Sequence, residues 1–303
     1  MAELKCGYAT EGQGVTPLAA AIECGAMADQ GFDVTLAKLG DAITVTAALV
    51  SGEIVFGNLA APALVMAAAH RSSGTEADLV FLAGGVNQQF LVGRPGMTLD
   101  ALRGQPLGVS GPGDLTDFLA QLTMDKVLGE RSEIKSVGDS QSRLKALLAG
   151  DVSASPLSPP AAIEARQAGC PFLYDYSEMG LNFAIGGIAA AKTLVDAQPE
   201  IVKRFLRAYL EGQRRYKTDR AFGVSIHEKY GETSRVVAEE TYDVTRDGFR
   251  DTPDPATAGM AMLVDFWKGT GEVPEAFDVA SVVDSAPIIA VCGERDLWSK
   301  PEV

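Results

Sequence analysis

The sequence predicts an α/β protein of two lobes, each a mostly parallel sheet flanked by helices. Three observations carry this. The chain has 303 residues, more than one small core needs and about right for two. Short β-type stretches alternate with helical ones, which implies parallel strands joined by right-handed crossovers. One segment also occurs twice: residues 39–62, "LGDAITVTAALVSGEIVFGNLAAP", align without a gap on residues 137–160, "VGDSQSRLKALLAGDVSASPLSPP".

Each element of the repeated unit has a physical reading. Gly40-Asp41 and Gly138-Asp139 end a strand and start a helix, because an Asp carboxylate accepts from the free N–H groups of a first turn. Ala48 and Leu49 match Ala146 and Leu147 as inward-facing positions. Gly52 and Gly150 are natural helix stops. A short strand follows, "EIVFG" or "DVSAS", and a second helix opens on Pro62 or Pro160, where a missing N–H costs nothing.

Each lobe also has an earlier strand, turn and helix. In the first, "LKCGYA" runs into "TEGQGVTPLAAAIECGAM", with Thr16 expected as cap and Pro17 at the first helical position. In the second, "QPLGVS" runs into "GPGDLTDFLAQL", where Asp114 reads as cap and Asp117 as a first-turn carboxylate. The extended stretches 78–96 and 181–192 read as an outward crossing and a return. Lobe one is then 1–88 plus 185–303, and lobe two is 89–184, inserted by two crossing strands. The helix over 199–217 places Ile201, Val202, Phe205, Leu206, Tyr209 and Leu210 on one face, to pack on lobe one.

Composition narrows the function. The net charge is −14, which disfavours nucleic acid and anionic lipid as partners. No apolar run is long enough for direct membrane insertion. The start, "MAELKCGYAT", lacks the regions of a signal peptide. The expected location is periplasmic if a signal has been removed, and cytoplasmic if the chain is complete as written. Cys6, Cys24, Cys170 and Cys292 have no metal-ligand spacing, so no metal and no cofactor is expected. The two histidines, His70 and His227, read as structural or solvated.

The order "GY" strand and loop, "AALVSGEIVFGNLAAPALV", crossing, "LRGQPLGVSGPG", "RLKALLAGDVSAS" resembles the solute-binding proteins of ABC importers. The resemblance is to the nitrate/sulfonate/taurine and thiamine-precursor (NMT1/THI5-like) branch, over residues 4–235. It implies a type II periplasmic-binding-protein fold, with the ligand clasped between the lobes by hinge closure. It implies a small organic solute as ligand, an ABC permease as partner if the chain is a transporter component, and a monomer. The alternative is a cytosolic enzyme on the same fold acting on a small aromatic or heterocyclic substrate, of the desulfinase, decarboxylase or lyase type. The desulfinase of this fold uses a Cys in the loop after the first strand, and "YATEG" has none there. No Ser-His-Asp set, zinc pattern or phosphate loop is present either, so no catalytic residue is assigned.

Ligands in open α/β sheets collect beyond the carboxyl ends of strands. Here those ends give Thr10, Glu11, Gln13, Asp41 and Asn58 in lobe one as ligand-binding candidates, with Asn87 and Gln88 on the crossing. Lobe two gives Ser110, Gly111, Gly113, Thr116, Asp139 and Ser158. Asp41 and Asp139 have a cap reading beside the ligand reading. Glu11 has no cap to serve, and a solvated loop carboxylate is its other reading. The loop Ser110–Thr116 is expected to face loop 8–13 and Asn58 across the cleft. These loops lack Arg and Lys, which favours a neutral, amino-bearing or zwitterionic solute, such as a sulfonate-amine or pyrimidine-like compound, over a dianion.

Overall fold

A sheet that alternates with helices must place each new strand beside an earlier one, and the chain does this twice. The computed structural model describes residues 1–10, 12–70, 78–85, 88–179, 186–255 and 258–294. The first sheet takes β1 (Ala2–Tyr8), β2 (Phe32–Lys38), β3 (Phe56–Ala60) and β4 (Leu79–Gly84). The second takes β5 (Phe90–Gly93), β6 (Leu107–Val109), β7 (Ile134–Ser136), β8 (Ala154–Leu157) and β9 (Phe172–Asp175). The chain then returns to the first sheet as β10 (Gly186–Ala191). The strand orders are β2-β1-β3-β10-β4 and β7-β6-β8-β5-β9, the same pattern in both.

The sheets are mostly parallel, as expected, with one reversed strand in each. β1 pairs in parallel with β2 and β3, and β6 with β7 and β8. The crossing strands run the other way: β10 is antiparallel to β3 and β4, and β5 to β8 and β9. The reason is topological. A chain leaving one sheet at its carboxyl edge enters the next from that same edge, so the entering strand is reversed. β10 also lies very close to its neighbours, since a Cβ on Gly186 or Gly187 would collide with the carbonyl oxygens of Leu59 or Ala83.

The helices are α1 (Thr16–Glu23), α2 (Ala26–Asp29), α3 (Ala42–Val50), α4 (Ala61–Ala69), α5 (Leu115–Thr123), α6 (Ser140–Ala149) and α7 (Ala161–Gln167). After the return come α8 (Lys192–Ala197), α9 (Pro199–Thr218), α10 (Arg220–Tyr230), α11 (Arg235–Thr245), α12 (Ala258–Thr270) and α13 (Ala286–Gly293). Asp41 caps α3 by accepting from the Thr44 N–H, and Asp139 caps α6 by accepting from the Ser142 N–H. Gly52, after α3, and Gly150, after α6, both adopt left-handed backbone. Thr16 is not a cap. A 3-10 turn, Gln13–Val15, precedes α1, so Val15 takes the cap position and Thr16 is a buried helical residue. Pro160 is likewise the cap residue of α7 rather than its first helical one.

The core of the first sheet is closed by α9. Phe205 stacks on Phe56 of β3 with ring centroids 3.8 Å apart, and Leu206, Tyr209 and Leu210 join the same cluster. Not all of the chain after the return keeps to the first sheet. On α12, Phe266 and Trp267 meet Phe118 of α5 at 5.2 and 6.2 Å between centroids. On the other side, Glu164 of α7 accepts from the Thr233 hydroxyl at 3.0 Å, and Arg166 pairs with Glu240 of α11. The carboxyl-terminal helices therefore also pack on α5 and α7, which flank the second sheet. Among the described residues no helix is long and apolar enough to cross a membrane.

Candidate functional site

The carboxyl edges of the two sheets face one cavity of about 1070 Å³. Each edge contributes the loops that follow its parallel strands, and the crossings form the floor, where Gly85, Gln89, Gly186 and Gly187 lie. From lobe one come Thr10, Asp41 and Asn58, and from lobe two Ser110, Gly111, Gly113, Thr116, Asp139 and Ser158. Gln88 does not line the cavity, whereas its neighbour Gln89 does. Glu11, Asn87 and the side chain of Gln13 lie outside the described residues. The first-lobe loop and lobe two come close: a Cβ on Gly12 would sit 3.6 Å from Ser158 Oγ.

The loop Ser110–Thr116 lines the cavity, opposite Asn58 and Thr10. Its polar groups are largely spent on each other. Asp114 Oδ1 accepts from the N–H groups of Thr116 and Asp117 at 2.8 and 3.2 Å and from the Thr116 hydroxyl at 2.8 Å. Thr116 Oγ1 in turn accepts from the Ser110 N–H at 2.8 Å and lies 2.8 Å from Ser110 Oγ. The Gly113 N–H donates to Asp117 Oδ2 at 2.9 Å. Two carboxylates thus occupy the donors that an anion would need at the start of α5. Burial pushes the Asp114 carboxyl above its usual value despite these bonds. The two loop glycines differ. Gly113 is left-handed at φ 73, a conformation that needs glycine, while Gly111 is not, and a Cβ there would point into open space.

The loops carry no Arg or Lys, but helix α6 brings a basic residue to the cavity. Arg143, on the first turn of α6, lines the cavity and is 4 % exposed. Its Nη1 donates to the Gly138 carbonyl at 2.6 Å and its Nη2 to Ser140 Oγ at 3.2 Å. Burial lowers its pKa to about 10, against the opposing fields of Asp114 and Asp139, so it stays cationic at neutral pH. Backbone and side-chain bonds from Ser142, with Arg143 nearby, hold Asp139 below the usual carboxylate range. One signal could have found this arginine. The repeat places it opposite Val45, an inward position of the first copy.

The lobe-one wall is different in kind. Ala42, Ile43, Ala47 and Val50 of α3, with Ala63 and Met66 of α4, turn apolar side chains to the cavity. Both histidines lie elsewhere. His70 ends α4, and His227 is buried at 2.8 Å from the Tyr216 hydroxyl, with its pKa driven down to about 4 by burial. Among the described residues no group of His, Cys, Asp and Glu could hold a metal ion.

Two lobes of this strand order, joined by paired crossings over a cleft, define the type II periplasmic-binding-protein fold. The chain belongs to the NMT1/THI5-like family, whose profile matches residues 13–218. Three solved structures share the fold. The ligand-binding component of an ABC-type import system from Staphylococcus aureus, with zinc bound, superposes with a TM-score of 0.78 at 14 % identity, covering 96 % of this chain and 99 % of its own. The nitrate-binding protein NrtA of Synechocystis gives 0.77 at 15 % identity, over 98 % of this chain and 89 % of its own. The alkanesulfonate-binding protein SsuA of Xanthomonas axonopodis pv. citri, bound to MOPS, gives 0.73 at 17 % identity, over 94 % and 99 %. No curated protein sequence matches the chain.

Proposed function

We propose that this protein is the solute-binding component of an ABC importer and holds a small organic molecule between its lobes. The observation that carries this is the cleft into which both copies of the repeated unit present their helix starts. The family and the import or binding roles of proteins sharing the fold support it. Lobe one is 1–88 plus 185–303 and lobe two is 89–184, a division supported by sheet membership. The solute contacts are drawn from Thr10, Asp41 and Asn58 on one side. On the other they are Ser110, Gly111, Gly113, Thr116, Asp139 and Ser158. The protein acts as a monomer and delivers its solute to a permease, in the periplasm where a signal peptide has been removed.

The solute is neutral, amino-bearing or zwitterionic. Asp41, Asp114 and Asp139 outnumber Arg143 on the cavity wall, so a dianion would meet repulsion from most of its charged neighbours. An enzyme would need a proton-transfer group at the cleft. Neither histidine lines it, and Asp41, Asp114 and Asp139 are committed to capping.

A thermal-shift screen over sulfonates, amines, amino acids and pyrimidines tests the reading. A solute that binds only the folded state stabilises it by about 2.7 kcal/mol at a hundredfold excess over Kd. Recovery of that solute unchanged by mass spectrometry is the expected result. Conversion to a product would replace import with catalysis.

A further inference from the structure

The two copies of the repeated unit disagree at one buried position. Val45 of α3 and Arg143 of α6 hold the same place in the alignment. Val45 is fully buried in the core and does not reach the cavity. Arg143 is nearly as buried and does reach it. The unit can be built with an apolar side chain at that place, since Val45 serves. A guanidinium there loses its hydration, which Asp114 and Asp139 offset only in part. Two of its five N–H donors are used, and its Nε–H has no partner among the described residues. A desolvated cation with unspent donors, set at a cleft, is suited to recognising acceptor oxygens.

The facing wall asks for something else. Ile43 is 71 % exposed and lines the same cavity beside Ala47, Val50 and Met66. Its counterpart in the second copy is Gln141. So one helix offers the cavity an apolar surface and the other a charge.

We propose that the solute is amphipathic: a head with acceptor oxygens seats at Arg143, and an apolar body lies against Ile43 and its neighbours on α3 and α4. Arg143 and Ile43 then set specificity. The carboxylates around Arg143 require that the head's negative charge be balanced within the solute, as in an amino acid or amino-sulfonate bearing an aryl or cycloalkyl group. This rests on the solute-binding reading of the cleft given above.

The test uses two probe pairs with matched heads, glycine against phenylalanine and taurine against N-cyclohexyltaurine, measured by calorimetry. In at least one pair the apolar member should bind at least about tenfold more tightly, the scale of methylene-level discrimination in an apolar pocket. Ile43→Ser, at a position already open to solvent, should fold normally and erase that advantage. Arg143→Val, which restores the residue of the first copy, should weaken the preferred probe at least about tenfold. A merely structural arginine would lower Tm and leave the affinity unchanged, and that result also overturns the proposal. If Arg143→Val does not fold, Arg143→Lys, which keeps the charge and loses the planar fork, should show the same weakening, and unchanged affinity there overturns the assignment of the head. The proposal is overturned if no probe binds, if the bare members bind as well, or if the advantage survives Ile43→Ser. Those failures leave the import reading standing, because it is judged separately by the solute found in the open screen.

Discussion

Helices α3 and α6 start alike, on a Gly-Asp pair, and stop alike, on a left-handed glycine. Between those ends they do opposite things. α3 lies so close on β3 that a Cβ on Gly57 would come within 2.8 Å of Val45 Cγ1 and 2.9 Å of Leu49 Cδ1. The matching place on β8 is Ser155, fully buried, and the matching place to Val45 is Arg143. The first copy uses its inward face for packing alone. The second gives up one packing position to a charge that reaches the cleft. The comparison separates scaffold from recognition: what the copies share builds the lobes, and where they differ they shape the site.

The sharpest way to break this comparison is the reciprocal exchange. Val45→Arg places a charge in a closed core with no cavity beside it, so it should cost about 4 kcal/mol or more in urea denaturation. Arg143→Val, which removes a charge beside a cavity and leaves the Gly138 carbonyl without that donor, should cost clearly less. Equal losses from both exchanges would mean that the two positions are simply two cores.

A second test sets Arg143, buried and charged, against His227, buried and neutral. The His227 pKa falls from 6.5 to about 4 on folding. Between those values the unfolded chain binds a proton that the folded chain refuses. Stability from this group is therefore complete above pH 6.5 and is lost as pH falls towards 4, by about 3 kcal/mol. Denaturation midpoints between pH 7 and 4 should drop more steeply in the native protein than in His227→Gln. Parallel pH slopes would show that the buried imidazole does not titrate in this way.

The smallest effect concerns what the copies share. Asp41→Ala and Asp139→Ala each remove one cap, and each should cost about 1 kcal/mol. A much larger loss at Asp139 would show that its carboxylate chiefly supports Arg143 rather than the start of α6.

Much of the architecture was legible because it rests on local rules. Asp41, Asp114 and Asp139 cap helices wherever the lobes lie, since an N-cap bond spans two or three residues. The gapless repeat announced two like units, and the clustering of Ser110–Thr116 with Thr10 and Asn58 follows from strands ending on one edge. Thr16 differs from the expected cap for an equally local reason: the 3-10 turn before α1 puts the cap one residue earlier, at Val15.

What only the tertiary structure decided depends on direction and distance between parts far apart in the chain. Spacing cannot say that β5 and β10 run antiparallel to their partners, because that follows from the edge at which the chain enters each sheet. Nor can it place α12 against α5 through Phe118, Phe266 and Trp267. Arg143 shows the limit most clearly. As a residue in a helix it resembles any solvated arginine. Its burial between Asp114 and Asp139 and its reach to the cleft arise only when the helix is laid on its sheet and the two sheet edges face each other, because side-chain direction is set by packing and not by sequence separation.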